Sequence, residues 1–306
     1  GNGIFSKYFG GVWMSRMIDA NTVLLGLLAS PCRHSISPAM HNAAFDKLGI
    51  NYAYLSFDVD TDTIKGAVDA IRVLKMRGAN VSMPNKRAVV QYMDKLSPAA
   101  EIIQAVNTIV NDDGILTGHN TDGIGFVQSL IDEGIEVKGK KLVLAGAGGA
   151  GTAIATQAAL DGFSEIAFFN RKNARFENAR ILSEKINQKT DCKVTMHDLN
   201  DKDDFRKSLE TADVYCDATS VGMAPMEEMS LIEDPAWFHE DMAVCDIVYA
   251  PRTTKLMKVA KKANVRHVIN GLGMVLNQGA AAFELWCNQK MPIEYVKKQV
   301  FDEVKM

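Results

Sequence analysis

Hydrophobic and polar positions follow one another in short blocks that repeat the order strand, helix, strand. Val23-Leu-Leu-Gly-Leu-Leu-Ala29 is a continuous apolar run closed by Ser30-Pro31, which predicts a strand buried on both faces. Ser37-Pro38 then opens a helix whose apolar positions pass through Met40, Ala44 and Leu48 to Gly49. Tyr52–Val59 alternates as a strand, Ile64–Met76 has helical spacing, and Ala79–Met83 is a short strand stopped by Pro84. From Pro84-Asn85-Lys86 the spacing of Val89, Val90, Met93 and Leu96 predicts another helix. Ala105–Gly123 reads as two strands about the hairpin turn Asn111-Asp-Asp-Gly114, with a helix from Ile124 to Glu133 after them.

Beyond Lys141 the alternation is regular. The strand Lys141–Ala145 runs straight into Gly146-Ala147-Gly148-Gly149-Ala150-Gly151 and an Ala-rich helix. Ile166–Phe169, Val194–Met196, Val214–Cys216, Val244–Val248 and His267–Ile269 are strands separated by helical stretches such as Phe176–Asn187, which predicts a Rossmann-type parallel sheet. A helix after Gly271-Leu-Gly-Met274 passes through Leu276, Gly279, Phe283 and Leu285. Past Pro292 the amphipathic stretch Ile293–Val304 is expected to return and pack on the first domain. The fold class is α/β with two domains: a mixed α/β substrate domain over residues 21–121 plus 277–306, and a Rossmann-type dinucleotide domain over residues 122–276. Residues 1–20 carry no clear period and lack the features of a signal peptide; they read as an N-terminal extension, native or vector-derived, so that folding arguments begin near Thr22.

Composition narrows the partners. A chain of 306 residues suits two domains at roughly 150 residues each, and 47% hydrophobic content supplies two cores. The net charge of -3 offers no basic field for nucleic acid, and no apolar run reaches the roughly 18 residues of a membrane helix. The five cysteines lie far apart with no Cys-x-x-Cys pair, so neither a zinc site nor a disulfide framework is indicated, and a cytoplasmic location fits. Small-molecule partners are expected, with no nucleic acid, no membrane and no metal; a homodimer is left open.

Candidate chemistry sits where strands end. Gly146-x-Gly148-x-x-Gly151 between strand and helix is the form of a phosphate-binding turn, with the helix N–H groups aimed at the anion; a turn that merely packs tightly is the plain alternative. Ser35 and Ser37 put two hydroxyls beside a helix start, where they suit a carboxylate, although Ser37 before Pro38 also reads as an N-cap and Ser35 has no such structural role. His34 and His41 lack partners at metal-ligand spacing. Lys86 is expected in the first turn of its helix, an unfavourable end of the helix dipole that lowers its proton affinity and aims it past a strand's carboxyl end; an ordinary solvated lysine is the alternative. Asp122, and equally Thr121, reads as an N-cap of the helix that follows. Asn107 interrupts an apolar run and calls for partners or a ligand.

His-Ser-x-Ser-Pro at 34–38, Asn-Val-Ser-Met-Pro-Asn-Lys at 80–86, Ala-Val-Asn-Thr at 105–108, Asn-Thr-Asp-Gly at 120–123, Gly-Ala-Gly-Gly-Ala at 146–150 and Gly-Met-Val-Leu-Asn-Gln-Gly at 273–279 fall in one order. On these motifs the chain, from about Leu24 to Val300, resembles the shikimate dehydrogenases, most closely the quinate/shikimate dehydrogenase branch. The resemblance implies an NAD(P)-dependent oxidoreductase that interconverts 3-dehydroshikimate and shikimate, with quinate as an additional substrate. Lys86 and Asp122 would be the catalytic pair; Ser35, Ser37, Ser82, Asn107, Tyr249 and Gln278 would meet the substrate; Gly146, Ala147, Gly148, Gly149, Ala150, Asn170, Arg171, Lys172, Asn173, Val248 and Gly271 would meet the cofactor. A quinate-preferring enzyme is the close rival. Folate-linked methylene dehydrogenases share the two-domain plan and a lysine but do not account for the Ser-x-Ser, Asn107 and Asp122 set. A catalytically silent dinucleotide- or metabolite-binding regulator is the rival from another class, against which the intact Lys86 and Asp122 argue. Asn170-Arg171-Lys172-Asn173 departs from both cofactor patterns, since it has cations without the acid that reads an NAD ribose and lacks the threonine of NADP-using members. Electrostatics alone favours NADP and the branch resemblance favours NAD, with Asn173 as a neutral ribose contact and Arg171 free to stack on adenine; the sequence reading leans to NAD.

Overall fold

Period-two alternation decides which strand residues meet which helices in both halves of the chain. The computed structural model describes residues 6–8, 11–13 and 16–301. The chain divides into two units: Gly1–Ala100, Gln104–His119 and Gly279–Met306 form unit 1, and Glu101–Ile103 with Asn120–Gln278 form unit 2.

Unit 1 opens with an antiparallel pair, β1 (Ser6–Tyr8) and β2 (Gly11–Trp13). It continues through β3 (Val23–Ala29), α1 (Ser37–Leu48), β4 (Tyr52–Asp58), α2 (Ile64–Val73), β5 (Gly78–Val81), β6 (Lys95–Leu96), the start of α3 (Pro98–Ile103), β7 (Thr108–Asp112) and β8 (Ile115–His119). The six-stranded sheet has the order β4-β3-β5-β7-β8-β6. Strands β4, β3 and β5 are parallel, and β7 runs antiparallel to β5. One face, carrying Leu28, Ala79, Val81 and Ile109, packs on Ile64, Val68 and Ile71 of α2. The opposite face carries Tyr54, Asn80 and Thr108.

Two expectations change here. Arg16 donates to Asp46 and, at 2.6 Å, to the Ile50 carbonyl, while Asn51 donates to Asp19, so the ordered chain is fastened to unit 1 several residues before Thr22. The helix expected from Pro84 is absent: only a 3-10 turn, Ala88–Tyr92, forms. Fully buried Asn85 donates through Nδ2 to the carbonyls of Leu28 and Val59, and the Lys86 carbonyl accepts from Val106 N–H at 2.8 Å. Neighbouring segments thus fix the backbone that an α-helix would need for its own ladder.

Unit 2 contains α4 (Asp122–Asp132), β9 (Lys141–Ala145), α5 (Gly149–Leu160), β10 (Glu165–Asn170), α6 (Ala174–Lys189), β11 (Lys193–Asp198), α7 (Lys202–Glu210), β12 (Val214–Asp217), β13 (Ala243–Asp246), α8 (Lys255–Lys262), β14 (His267–Ile269) and the first part of α9 (Leu272–Cys287). The strands, all parallel, are ordered β11-β10-β9-β12-β13-β14, the doubly wound order of a Rossmann sheet. Leu142, Leu144, Phe168 and Cys216 face α4, α5 and α6, whereas Val143, Ala145, Phe169 and Tyr215 face α7 and α8. Continuous apolar strands are the consequence, because both faces are covered.

The end of α9 and the last helix, α10 (Ile293–Val300), belong to unit 1, where Lys47 of α1 lies over the Tyr295 ring at 5.0 Å. The expected stretch 302–304 lies outside the described residues. Among the described residues no helix is long and apolar enough to cross a membrane.

Candidate functional site

The register of unit 1 gathers five of the sequence-selected groups at one edge of its sheet. Ser35 and Ser37 follow the carboxyl end of β3, and Ser82 and Lys86 follow that of β5. Antiparallel β7 brings Asn107 to the same edge, with its carbonyl accepting from Val81 N–H at 2.8 Å. Ser82 is anchored through its N–H to the Leu28 carbonyl at 3.1 Å. Asn107 is 4% exposed, and its Oδ1 accepts from the Thr108 hydroxyl at 2.9 Å.

The two serines exchange the roles expected of them. Ile36 occupies the cap position of α1 and no side chain caps that helix. Ser35 has the structural bond, its Oγ accepting from Ser37 N–H at 3.2 Å, while the Ser37 hydroxyl meets the buried phenol of Tyr54. Half-buried Lys86 lies before a 3-10 turn instead of within an α-helix, so the dipole argument for it lapses and its position rests on the strand edge alone.

In unit 2, Asp122 is the first residue of α4 and not its cap; the cap position is Thr121, which makes no side-chain capping bond. Asn120 takes part of that role, its Oδ1 accepting from Asp122 N–H at 3.2 Å. Tyr249 follows β13, half-buried, and Gln278 in α9 donates to the Val275 carbonyl at 3.0 Å.

The glycine turn fits a phosphate. Gly146 has φ +101°, and a Cβ there would come within 2.8 Å of Thr219; a Cβ on Gly151 would stand 1.7 Å from the Gly146 carbonyl oxygen. These two are glycines for the turn itself. Gly148 and Gly149 differ: a Cβ on Gly149 would meet nothing within 4 Å, and one on Gly148 would meet only the Arg175 guanidinium, 3.6 Å from Nη1. Open space over the first turn of α5, with its free N–H groups, is the environment a pyrophosphate requires. Arg175 escaped the sequence reading. Its signal was a cation in the first turn of the helix after the second Rossmann strand, five residues beyond Asn170.

Asn170 braces this turn, accepting from Ala147 N–H at 3.0 Å and donating to the Arg171 carbonyl and to Asn173 Oδ1. Asn173 is the N-cap of α6, its Oδ1 accepting from the N–H groups of Arg175 and Phe176, so the oxygen expected at a ribose is engaged by the helix. Arg171 and Lys172 are exposed. The acid in register with Asn170, Asp198 on β11, accepts from Asn200 N–H in its own loop. Val248 N–H donates to Asp246 Oδ1 at 3.0 Å, and a Cβ on Gly271 would stand 1.8 Å from the Ile247 carbonyl oxygen.

Asp217 and Asp246 end β12 and β13 in register, 1% and 2% exposed. Each uses one oxygen locally, Asp217 for the N–H and hydroxyl of Thr219, and each has a buried Oδ2 without a hydrogen bond. Burial first, and Asp246 second, push the Asp217 carboxyl up to about 7; burial pushes Asp246 up to about 6.

Unit 1 thus offers hydroxyls, a carboxamide and an ammonium at one sheet edge, and unit 2 a Rossmann sheet with an anion cradle, the equipment of a dinucleotide-dependent enzyme acting on a small polar molecule. Family profiles described as the shikimate dehydrogenase substrate binding domain and the shikimate 5'-dehydrogenase C-terminal domain match residues 27–109 and 271–301. A Streptococcus uberis protein named shikimate dehydrogenase (NADP(+)) is 51% identical over 292 residues, 95% of this chain and 99% of that one. The Listeria monocytogenes shikimate 5-dehydrogenase in complex with shikimate and NAD is 48% identical with TM-score 0.90, covering 92% of this chain and 98% of that one. The Corynebacterium glutamicum quinate dehydrogenase in complex with NAD is 28% identical with TM-score 0.80, covering 92% and 99%. The chain belongs to the shikimate dehydrogenase family.

Proposed function

We propose that the chain interconverts 3-dehydroshikimate and shikimate, with NADP preferred and quinate as a secondary substrate. The observation that carries this reading is the convergence of Ser35, Ser37, Ser82, Lys86 and Asn107 on one edge of the unit 1 sheet. Ser35 and Ser37 suit the carboxylate, and Ser82, Asn107, Tyr249 and Gln278 suit the ring hydroxyls. When bound, the nicotinamide supplies the hydride acceptor or donor. Oxidation of the carbinol must release the proton of the same oxygen, and Lys86 Nζ takes it; in reduction Lys86 returns it. Asp122 is the carboxylate that accepts from a substrate hydroxyl.

NADP is favoured over NAD because three cations, Arg171, Lys172 and Arg175, stand about the end of β10 while Asn173 is engaged in capping. The name of the Streptococcus uberis relative agrees; the NAD in the Listeria monocytogenes structure indicates that NAD is also accommodated by that relative. Absorbance at 340 nm, with shikimate or quinate and either cofactor at equal concentration, tests the whole reading. Shikimate turnover with kcat/KM at least tenfold higher for NADP is expected, and Arg175→Ala is expected to remove most of that ratio while changing the NAD rate little. No turnover of shikimate would sink the function; a wild-type ratio in the variant would remove Arg175 from cofactor choice.

A further inference from the structure

The unit 1 face opposite α2 carries a chain of buried polar groups. Strand order explains it: Tyr54 on β4 reaches across β3 to Asn80 on β5, and Asn80 is in register with Thr108 on β7. Tyr54 and Thr108 are fully buried, and Asn80 is 7% exposed. The Tyr54 hydroxyl donates to Asn80 Oδ1 at 2.8 Å; Asn80 Nδ2 donates to the Asn107 carbonyl and to Thr108 Oγ1, both at 3.1 Å; Thr108 Oγ1 donates to Asn107 Oδ1 at 2.9 Å. At the other end Tyr54 meets Ser37, and His41 is stacked on the Tyr54 ring at 4.8 Å.

The polarity of this chain is set from its Asn80 link. A backbone carbonyl only accepts, so the Asn80 edge facing Asn107 is its NH2, and both hydrogens are used there. Asn80 Oδ1 must then accept, and it does so from Tyr54. Thr108, accepting from Asn80, has its single hydrogen left for Asn107 Oδ1. Asn107 is therefore held with its oxygen turned to Thr108 and its amide hydrogens on the opposite edge. Burial holds His41 neutral, its pKa lowered to about 3, so the chain does not change sense across the working pH range.

We propose that Tyr54, Asn80 and Thr108 are positioning residues that hold Asn107 as a hydrogen-bond donor toward a hydroxyl oxygen of the substrate and fix the Ser37 hydroxyl beside it. This inference rests on the reading of Asn107 as a substrate group. A fixed donor selects for an oxygen at that ring position, and losing its orientation weakens binding equally in the ground and transition states, which raises KM and leaves kcat nearly unchanged.

The test compares Thr108→Val, Thr108→Ser, Tyr54→Phe and Asn107→Ala by steady-state kinetics with shikimate, with NADP affinity and the thermal melting curve measured on each. Thr108→Val and Tyr54→Phe are expected to raise the shikimate KM about tenfold, the worth of one hydrogen bond, with kcat within about threefold and NADP affinity unchanged. Thr108→Ser restores the hydroxyl and should restore KM. A purely structural role would lower the melting temperature of Thr108→Val and Tyr54→Phe and leave KM at the wild-type value, which overturns the proposal. So does an equal rise in KM for Thr108→Ser and Thr108→Val, because packing would then be the cause. If Asn107→Ala raises KM while neither Thr108→Val nor Tyr54→Phe does, the relay is wrong and the substrate role of Asn107 stands. An unchanged KM in Asn107→Ala removes both.

Discussion

Lys86→Ala is expected to lower kcat with shikimate by ~10²–10⁴-fold, the usual consequence of removing a positioned acid or base, while the protein folds and binds cofactor as before. Folding should persist because what fixes this segment is backbone and Asn85: the Lys86 carbonyl accepts from Val106 N–H and Asn85 is buried beneath, and neither depends on the lysine side chain. No gain in helix stability is expected, since Lys86 is not in an α-helix. Cofactor affinity should hold because the glycine turn and Arg175 belong to unit 2, whereas Lys86 belongs to unit 1. Asp122→Asn is expected to lose activity on the same scale and to remain folded. Asp122 is the first residue of α4 and not its cap, so the change leaves the cap position untouched, and the carboxylate–dipole contact it removes is worth about 0.3–1 kcal/mol. Initial rates at saturating shikimate and cofactor, with circular dichroism on the same samples, check both variants; turnover near wild type for Lys86→Ala would end its assignment as the proton-transfer group.

The strands and the glycine turn were legible because their signals are local. Strands covered on both faces must be continuously apolar, and Lys141–Ala145 shows this as it runs into Gly146. Lys86, Asn107 and the serines were legible as types at strand ends, but what holds each one was not. The spacing of Val89, Val90 and Met93 fits a helix face, yet the partners that fix Asn85 and Lys86, the carbonyls of Leu28 and Val59 and the Val106 N–H, come from segments distant in sequence. Ser35 and Ser37 looked like spare hydroxyl and cap because Pro38 marks a helix start, and one residue of shift at that start transfers the local bond from one serine to the other. Arg175 was an unremarked cation until α6 turned it to Gly148. Asn80 lies between Ala79 and Val81 in a buried strand and carried the same signal as Asn107, a polar residue in an apolar run, but its partners became visible only with the order β4-β3-β5-β7.

The Asp217–Asp246 pair is likewise a product of register, and Asp217→Asn is expected to stabilise the protein by up to about 4 kcal/mol at pH 8. Both carboxyls have folded pKa values above the ordinary 3.8, about 7 for Asp217 and about 6 for Asp246. A group raised in this way gives its full stability below the unfolded value and loses it as pH rises through the folded value. Between pH 3.8 and about 7 the native state retains the Asp217 proton that the unfolded chain has released, so stability falls with rising pH across that window. Roughly three pKa units at 1.36 kcal/mol each sets the ceiling of the gain. Asparagine reproduces the protonated carboxyl at every pH: its oxygen still accepts from Thr219, and its NH2 replaces the charge that repels Asp246 beside it. The gain should shrink to under about 2 kcal/mol at pH 5 and vanish near pH 3, where the wild-type carboxyl is protonated folded or unfolded. His41 works in the opposite sense, because its lowered pKa of about 3 means that stability is lost as pH falls from 6.5 toward 3. That contribution is common to both proteins and cancels in the difference. Urea unfolding of wild type and variant at pH 5 and pH 8 measures it directly, and a difference that is absent at pH 8, or the same at both pH values, would show that burial, with Asp246 beside it, does not raise the Asp217 carboxyl in the folded state.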